Sequence, residues 1–204
     1  MTTSPFSRRS LGARDLALVA SFAALIAALT IPGAIPVGGF PAPITLQTLG
    51  VMLGGSILGW KRGTLAVLLY LAMGAVGLPV FAGGKGGLGA FVGPTSGYLF
   101  GFVLGAAVIG WLVERRLPAY PTWWGALANV AGGILAVYAV GIPVLAATTG
   151  LPAATALKVG GLVFVPGDLV KVAIATVVAA AVHRAVPDVA GLASAGERHR
   201  VEAS

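Results

Sequence analysis

The chain has 204 residues, of which 57% are hydrophobic and 9% charged, with a mean hydropathy of +0.96. Soluble domains carry about 25% charged residues, so this composition is that of an integral membrane protein. The net charge of +7 would suit a nucleic-acid binder, but the bases fall between apolar segments rather than in one patch, and the absence of cysteine excludes disulfides, zinc–thiolate sites and iron–sulfur clusters.

Residues 1–13 are polar and basic and predict a cytoplasmic tail without a packed core. No signal-peptide cleavage pattern precedes the first apolar run, which is expected to stay as a membrane anchor. A helix crosses the hydrocarbon core with about 20 residues. Stretches of that kind occupy 15–31, 44–60, 63–79, 94–113, 124–147 and 162–184. In the first, Ala20, Ala24 and Ala28 recur every fourth residue and leave one face nearly smooth, open either to a partner protein or to internal packing.

Between the first two spans runs IPGAIPVGGFPAP (31–43), with four prolines, three glycines and no charge. It cannot be a helix and is too apolar for an ordinary exposed loop. It reads either as a lid over an outward-facing cavity, with Phe40 free to pack on a ligand, or as a stiff connector. Spans two and three are separated only by Trp60, Lys61 and Arg62, a tight basic turn.

The loop FAGGKGGLGAFVGP (81–94) holds six glycines around Lys85. Its amides, including those of Gly84 and Gly86, could approach an anion closely, with Lys85 suited to a carboxylate. A flexible turn is the alternative. It is not a nucleotide-binding P-loop, because Gly86 stands where Ser or Thr must follow the lysine. In span four, Gly93, Gly97, Gly101 and Gly105 form a small-residue face that predicts close packing on a neighbouring helix.

The last span carries Asp168 and Lys171, the only charges between Gly160 and Val182. Each costs about 3 kcal/mol at the centre of a membrane helix, and three residues of helix leave them roughly 60° apart on one face. They either lock helix packing as an ion pair or share a polar ligand. Pro166 and Gly167, just before them, free backbone groups that only buried or cavity-lining positions can satisfy.

Residues 14–186 thus predict an all-α transmembrane domain of six helices, and 187–204 a second cytoplasmic tail. With both termini cytoplasmic, ten bases fall on the cytoplasmic side of the membrane and only Lys85 and Lys158 on the outer side, as the positive-inside rule requires. Trp60, Trp111, Trp123 and Trp124 then lie near the cytoplasmic ends. A membrane hydrolase fits the chain poorly. It would need a nucleophile and base or a metal cluster, whereas the two histidines, His183 and His199, lie at or beyond the inner end of the last span. An ion-coupled secondary transporter, with Asp168 taking up a proton, stays open as an alternative to passive capture.

Three segments, PAPITLQTLGVMLGG (41–55), GLPVFAGGKGGLGAFVGPTSGYLFGF (77–102) and VFVPGDLVK (163–171), together resemble the BioY family over about residues 14–184. That family supplies the biotin-specific S component of energy-coupling factor (ECF) transporters in bacterial cytoplasmic membranes. The resemblance implies a six-helix bundle holding biotin near its outer surface, with no cofactor. It implies as partners a transmembrane coupling protein, met at Ala20, Ala24 and Ala28, and two cytoplasmic ATPases. Asp168 and Lys171 would hold the ureido ring and Lys85 or the loop amides the carboxylate, or the pose could be reversed. Gln47 and Tyr98, in the other matched segments, are candidate lining groups.

Overall fold

Inside a bilayer no water satisfies backbone amides, so apolar spans of this length must close their hydrogen bonds within helices. The computed structural model describes residues 12–31 and 45–190, and every extended element among them is helical. Strand-like pairing among these residues is confined to one bridge between Phe81 and Lys85. The helices are α1 (Ala13–Ala28), α2 (Gln47–Ala75), α3 (Ser96–Glu114), α4 (Thr122–Asn129), α5 (Val137–Thr149), α6 (Ala153–Leu157) and α7 (Val165–Ala185). Wide π turns at Val130–Ala136 and Lys158–Leu162 carry the chain from α4 into α5 and from α6 toward α7.

Helix α2 is a hairpin rather than one rod. Gly59 adopts φ 79°, a left-handed conformation open to glycine at no steric cost, and reverses the chain. The two arms then touch, since a Cβ at Gly63 would come within 2.7 Å of the Gly54 carbonyl oxygen. The break falls one residue before the predicted basic turn, so Trp60, Lys61 and Arg62 open the second arm. Glu114 Oε1 accepts the Trp60 N–H at 2.9 Å, satisfying one of the donors a helix start leaves free.

Glycines let α3 lie directly against α5 and the turn before it. A Cβ at Gly97 would approach Val144 Cβ to 2.6 Å, and one at Gly101 or Gly105 would approach the carbonyl of Val137 or Gly132 to 2.8 Å. Gly93, the fourth member of the predicted face, precedes the helix and lines a cavity instead. The other side of α3 packs on α2, while α7 packs on α2 and α4. Tyr70, Ile26, Met52, Leu58, Ile109 and Leu145 are the largest fully buried side chains of this core.

Among the described residues, three helical stretches, Ser96–Glu114, Thr122–Thr149 and Ala153–Ala185, are long and apolar enough to cross a membrane. The last is longer than the expected 162–184. Pro166 lies in the first turn of α7, where its missing N–H breaks no helical bond, and Lys158 is absorbed into the π turn. By contrast α1 stops at Ala28 rather than at residue 31, with Thr30 and Ile31 closing tighter turns on the Ala27 and Ala28 carbonyls, and the proline that follows in the sequence disfavours continuing the helix.

The two ends of the bundle differ in chemistry. At the Gly59 end Arg62 pairs with Asp15 at 2.6 Å and donates to the Val189 carbonyl at 3.0 Å. That contact holds the start of the predicted C-terminal tail against the helices, with Val189 and Ala190 buried. Arg115 lies 3.4 Å from the centre of the Trp111 ring, and Arg116 5.0 Å from that of Trp124, at this same end. At the other end the starts of α2, α3 and α7 and the glycine loop surround a cavity.

Candidate functional site

Helix α7 begins where Phe164 caps a fresh turn and Pro166 presets its geometry. Asp168 closes that turn through its N–H to the Phe164 carbonyl, 2.9 Å away. Its carboxylate therefore sits in the first turn, where the helix dipole favours negative charge. Lys171, one turn on, brings Nζ to 2.8 Å from Asp168 Oδ1 and 3.0 Å from Thr48 Oγ1. Thr48 in turn donates to Asp168 Oδ1 at 3.3 Å, and Tyr138 donates its hydroxyl to Oδ2.

The pair is deeply enclosed, with the Asp168 and Lys171 side chains only 4% and 8% exposed. Isolated charges at such depth would be prohibitively costly, and this pair is tolerated because each partner is neutralised and hydrogen-bonded. An ammonium has three protons, and the bonds to Asp168 and Thr48 use two. The third remains for an acceptor in the cavity.

That cavity has a volume of about 370 Å³. Asp168, Lys171, Thr48, Tyr138 and Gln47 line its polar side, Phe81, Phe102 and Phe164 contribute apolar wall, and the loop from Phe81 to Pro94 covers the remainder. Charged floor, aromatic walls and a glycine-rich cover suit a small ligand with a polar head and an apolar body.

Of the residues singled out in the sequence, Asp168, Lys171, Gln47, Tyr98, Lys85 and Gly86 line this one cavity. Gly84 does not. It is exposed at the loop tip, because the backbone pairing of Phe81 with Lys85 turns the segment between them outward. Phe40 lies outside the described residues. Ala20, Ala24 and Ala28 are all exposed along α1 and take no part in the cavity. Tyr98 offers mainly its ring, since its hydroxyl is committed to the Gly160 carbonyl at 2.6 Å, in the π turn before α7.

Sequence reasoning missed Thr48 and Tyr138, the two hydroxyls that hold Asp168. A signal existed for each. Thr48 directly follows Gln47, and Tyr138 places a phenol deep inside a predicted span rather than at an interface, where tyrosine usually sits.

Fold and cavity together define a helical membrane protein whose enclosed cavity suits a small polar-headed solute. The chain belongs to the BioY family, which it matches over residues 1–188. It is 45% identical over 174 residues to the biotin transporter BioY of Rhizobium etli, an alignment covering 83% of this chain and 92% of that one. To the biotin transporter BioY of Rhodobacter capsulatus it is 48% identical over 177 residues, covering 81% and 91%. The corresponding protein of Thermotoga maritima is 45% identical over 160 residues, covering 77% and 90%. Among solved structures it is similar to the S-component for biotin from an ECF-type ABC transporter, with a TM-score of 0.78 and 33% identity over 84% of this chain and 89% of that one.

Proposed function

We propose that the protein captures biotin at the outer face of a bacterial cytoplasmic membrane and delivers it inward as the substrate-binding component of an ECF-type transporter. It is a transport protein and not an enzyme. The observation that carries this reading is the buried Asp168–Lys171 pair facing the cavity. Biotin presents two ureido N–H donors, a strongly accepting ureido oxygen, an apolar sulfur ring and chain, and a carboxylate. Asp168 accepts from an N–H, the third Lys171 proton reaches the ureido oxygen, and Phe81, Phe102 and Phe164 cover the apolar body. Lys85 and the amide of Gly86 receive the carboxylate.

In this reading the chain crosses the membrane six times between two cytoplasmic tails, counting α1, both arms of α2, α3, the α4–α5 rod and the α6–α7 rod. Residues 14–186 form the binding domain. The distribution of bases supports that orientation, since the Gly59 end holds Lys61, Arg62, Arg115 and Arg116 and the cavity end Lys85. The exposed Ala20, Ala24 and Ala28 give the transmembrane coupling protein a smooth surface to approach, and two cytoplasmic ATPases supply the energy through it.

Calorimetry of the detergent-purified protein with biotin, together with identification of any small molecule that co-purifies, tests the reading. Saturable, one-to-one biotin binding is expected. No binding to ligand-free, folded protein would refute it. Uptake into vesicles with and without the coupling protein and ATPases tests the energisation separately, with transport expected only when they are present.

A further inference from the structure

Tyr70 is fully buried and does not line the cavity, yet it stands behind two of its walls. Its hydroxyl bonds to the Gln47 amide nitrogen and, at 3.1 Å, to the Val80 carbonyl. Its ring meets that of Phe81 edge to face at 5.4 Å. Gln47 and Phe81 both line the cavity.

The proton inventory of this chain of bonds fixes an orientation that an amide by itself leaves ambiguous. A carbonyl only accepts, so the bond to Val80 consumes the single proton of the Tyr70 hydroxyl. Gln47 must then donate, which turns its NH₂ toward Tyr70 and its carbonyl oxygen the other way. There Thr45, itself a cavity-lining residue, donates its hydroxyl to Gln47 Oε1 at 3.0 Å. A carbonyl oxygen has two lone pairs, and Thr45 uses one. Gln47 therefore shows the cavity an acceptor with capacity to spare.

An acceptor there answers a question of valence. Asp168 Oδ1 already takes two donors and Oδ2 one, so the carboxylate has room for one ligand N–H at its usual complement of about four. A cyclic urea has two N–H groups pointing in divergent directions. We infer that Gln47 Oε1 accepts the second ureido N–H and that Tyr70 is the positioning residue that holds it in that orientation. This deepens the biotin reading and rests on it. Without the Tyr70 hydroxyl the amide is free to flip and present a donor to a donor.

The test is a binding cycle measured by calorimetry on wild type, Tyr70→Phe, Gln47→Met and the double variant. Tyr70→Phe keeps the ring against Phe81 and deletes one oxygen. Each single change is expected to weaken biotin about fivefold, the value of one neutral hydrogen bond, with the double variant no weaker than Gln47→Met alone. Wild-type affinity in Tyr70→Phe, or a double variant whose loss is the product of the two single losses, would overturn the inference. A purely structural role for Tyr70 gives that second result.

A measurement independent of Gln47 variants uses biotin methylated on one or the other ureido nitrogen. In Tyr70→Phe the affinity penalty of methylation should shrink at one nitrogen and persist at the other. Penalties identical to wild type at both would also overturn it. Absence of biotin binding by the wild-type protein is a different result, which removes the biotin reading and this inference with it.

Discussion

Replacing Asp168 by asparagine preserves shape and removes one charge. The carboxylate accepts from Lys171 and Thr48 on one oxygen and from Tyr138 on the other. An asparagine offers one oxygen and one NH₂. Turned with its NH₂ toward Lys171, it would set donor against ammonium, so its oxygen must keep that side and its NH₂ must face Tyr138. Ligand N–H groups then meet a donor where an anionic acceptor stood. Loss of a hydrogen bond to a charged group is worth about 1.5–3 kcal/mol, or roughly 10- to 150-fold in Kd.

Stability falls by a separate route, because Lys171 is left buried without its counter-charge, at a cost of about 3–5 kcal/mol. The double variant Asp168→Asn/Lys171→Met removes the stranded ammonium and separates the two effects. Thermal unfolding should show it recovering much of the stability lost by the single variant, while calorimetry should show binding still impaired, since neither the anionic acceptor nor the Lys171 proton has returned. A folded Asp168→Asn protein with wild-type affinity, or a double variant that binds biotin normally, would show that the pair holds helices together and does not hold the ligand.

Enlarging Ala24 to tryptophan should leave biotin affinity unchanged, because the residue is exposed and away from the cavity, and should abolish energised uptake in vesicles containing the coupling protein and ATPases. Normal uptake would remove that face of α1 from the docking surface. Lys85→Ala should weaken biotin but not an uncharged biotin amide, and an equal loss for both ligands in a competition assay would place the carboxylate elsewhere. Gly101→Leu should destabilise the bundle by about 1–3 kcal/mol, since a side chain there meets the Val137 carbonyl, which belongs to backbone and cannot step aside. An unchanged unfolding temperature would argue against the close approach of α3 and α5.

The parts of this molecule legible in its sequence are those that conflict with their surroundings. Asp168 and Lys171 stand out because each costs about 3 kcal/mol in a membrane helix, and the glycine face of α3 because no other residue allows that approach. Thr48 and Tyr138 stand out less, although they complete the same network, because a threonine hydroxyl in an apolar helix can bond back to its own backbone and a tyrosine is mostly apolar ring. Helix extents misled for a related reason. Lys158 fell outside the expected span and Pro166 and Gly167 were expected to free backbone groups within it, whereas the π turn and the first-turn position of the proline depend on φ and ψ that no residue type dictates.

The same distinction divides the labour within the site. On the proposed reading, charged residues draw the ligand because they remain partly unsatisfied, as the third Lys171 proton does. Neutral ones, Tyr138 on Asp168 and Tyr70 on Gln47, fix where the acceptors point, because a hydroxyl with one proton can be committed in only one direction. Substitutions at the charges should therefore act mainly on how tightly any cyclic urea is held. Substitutions at the hydroxyls should act on which N–H pattern is recognised, and a panel of ureido-modified ligands measured against both kinds of variant would expose that difference.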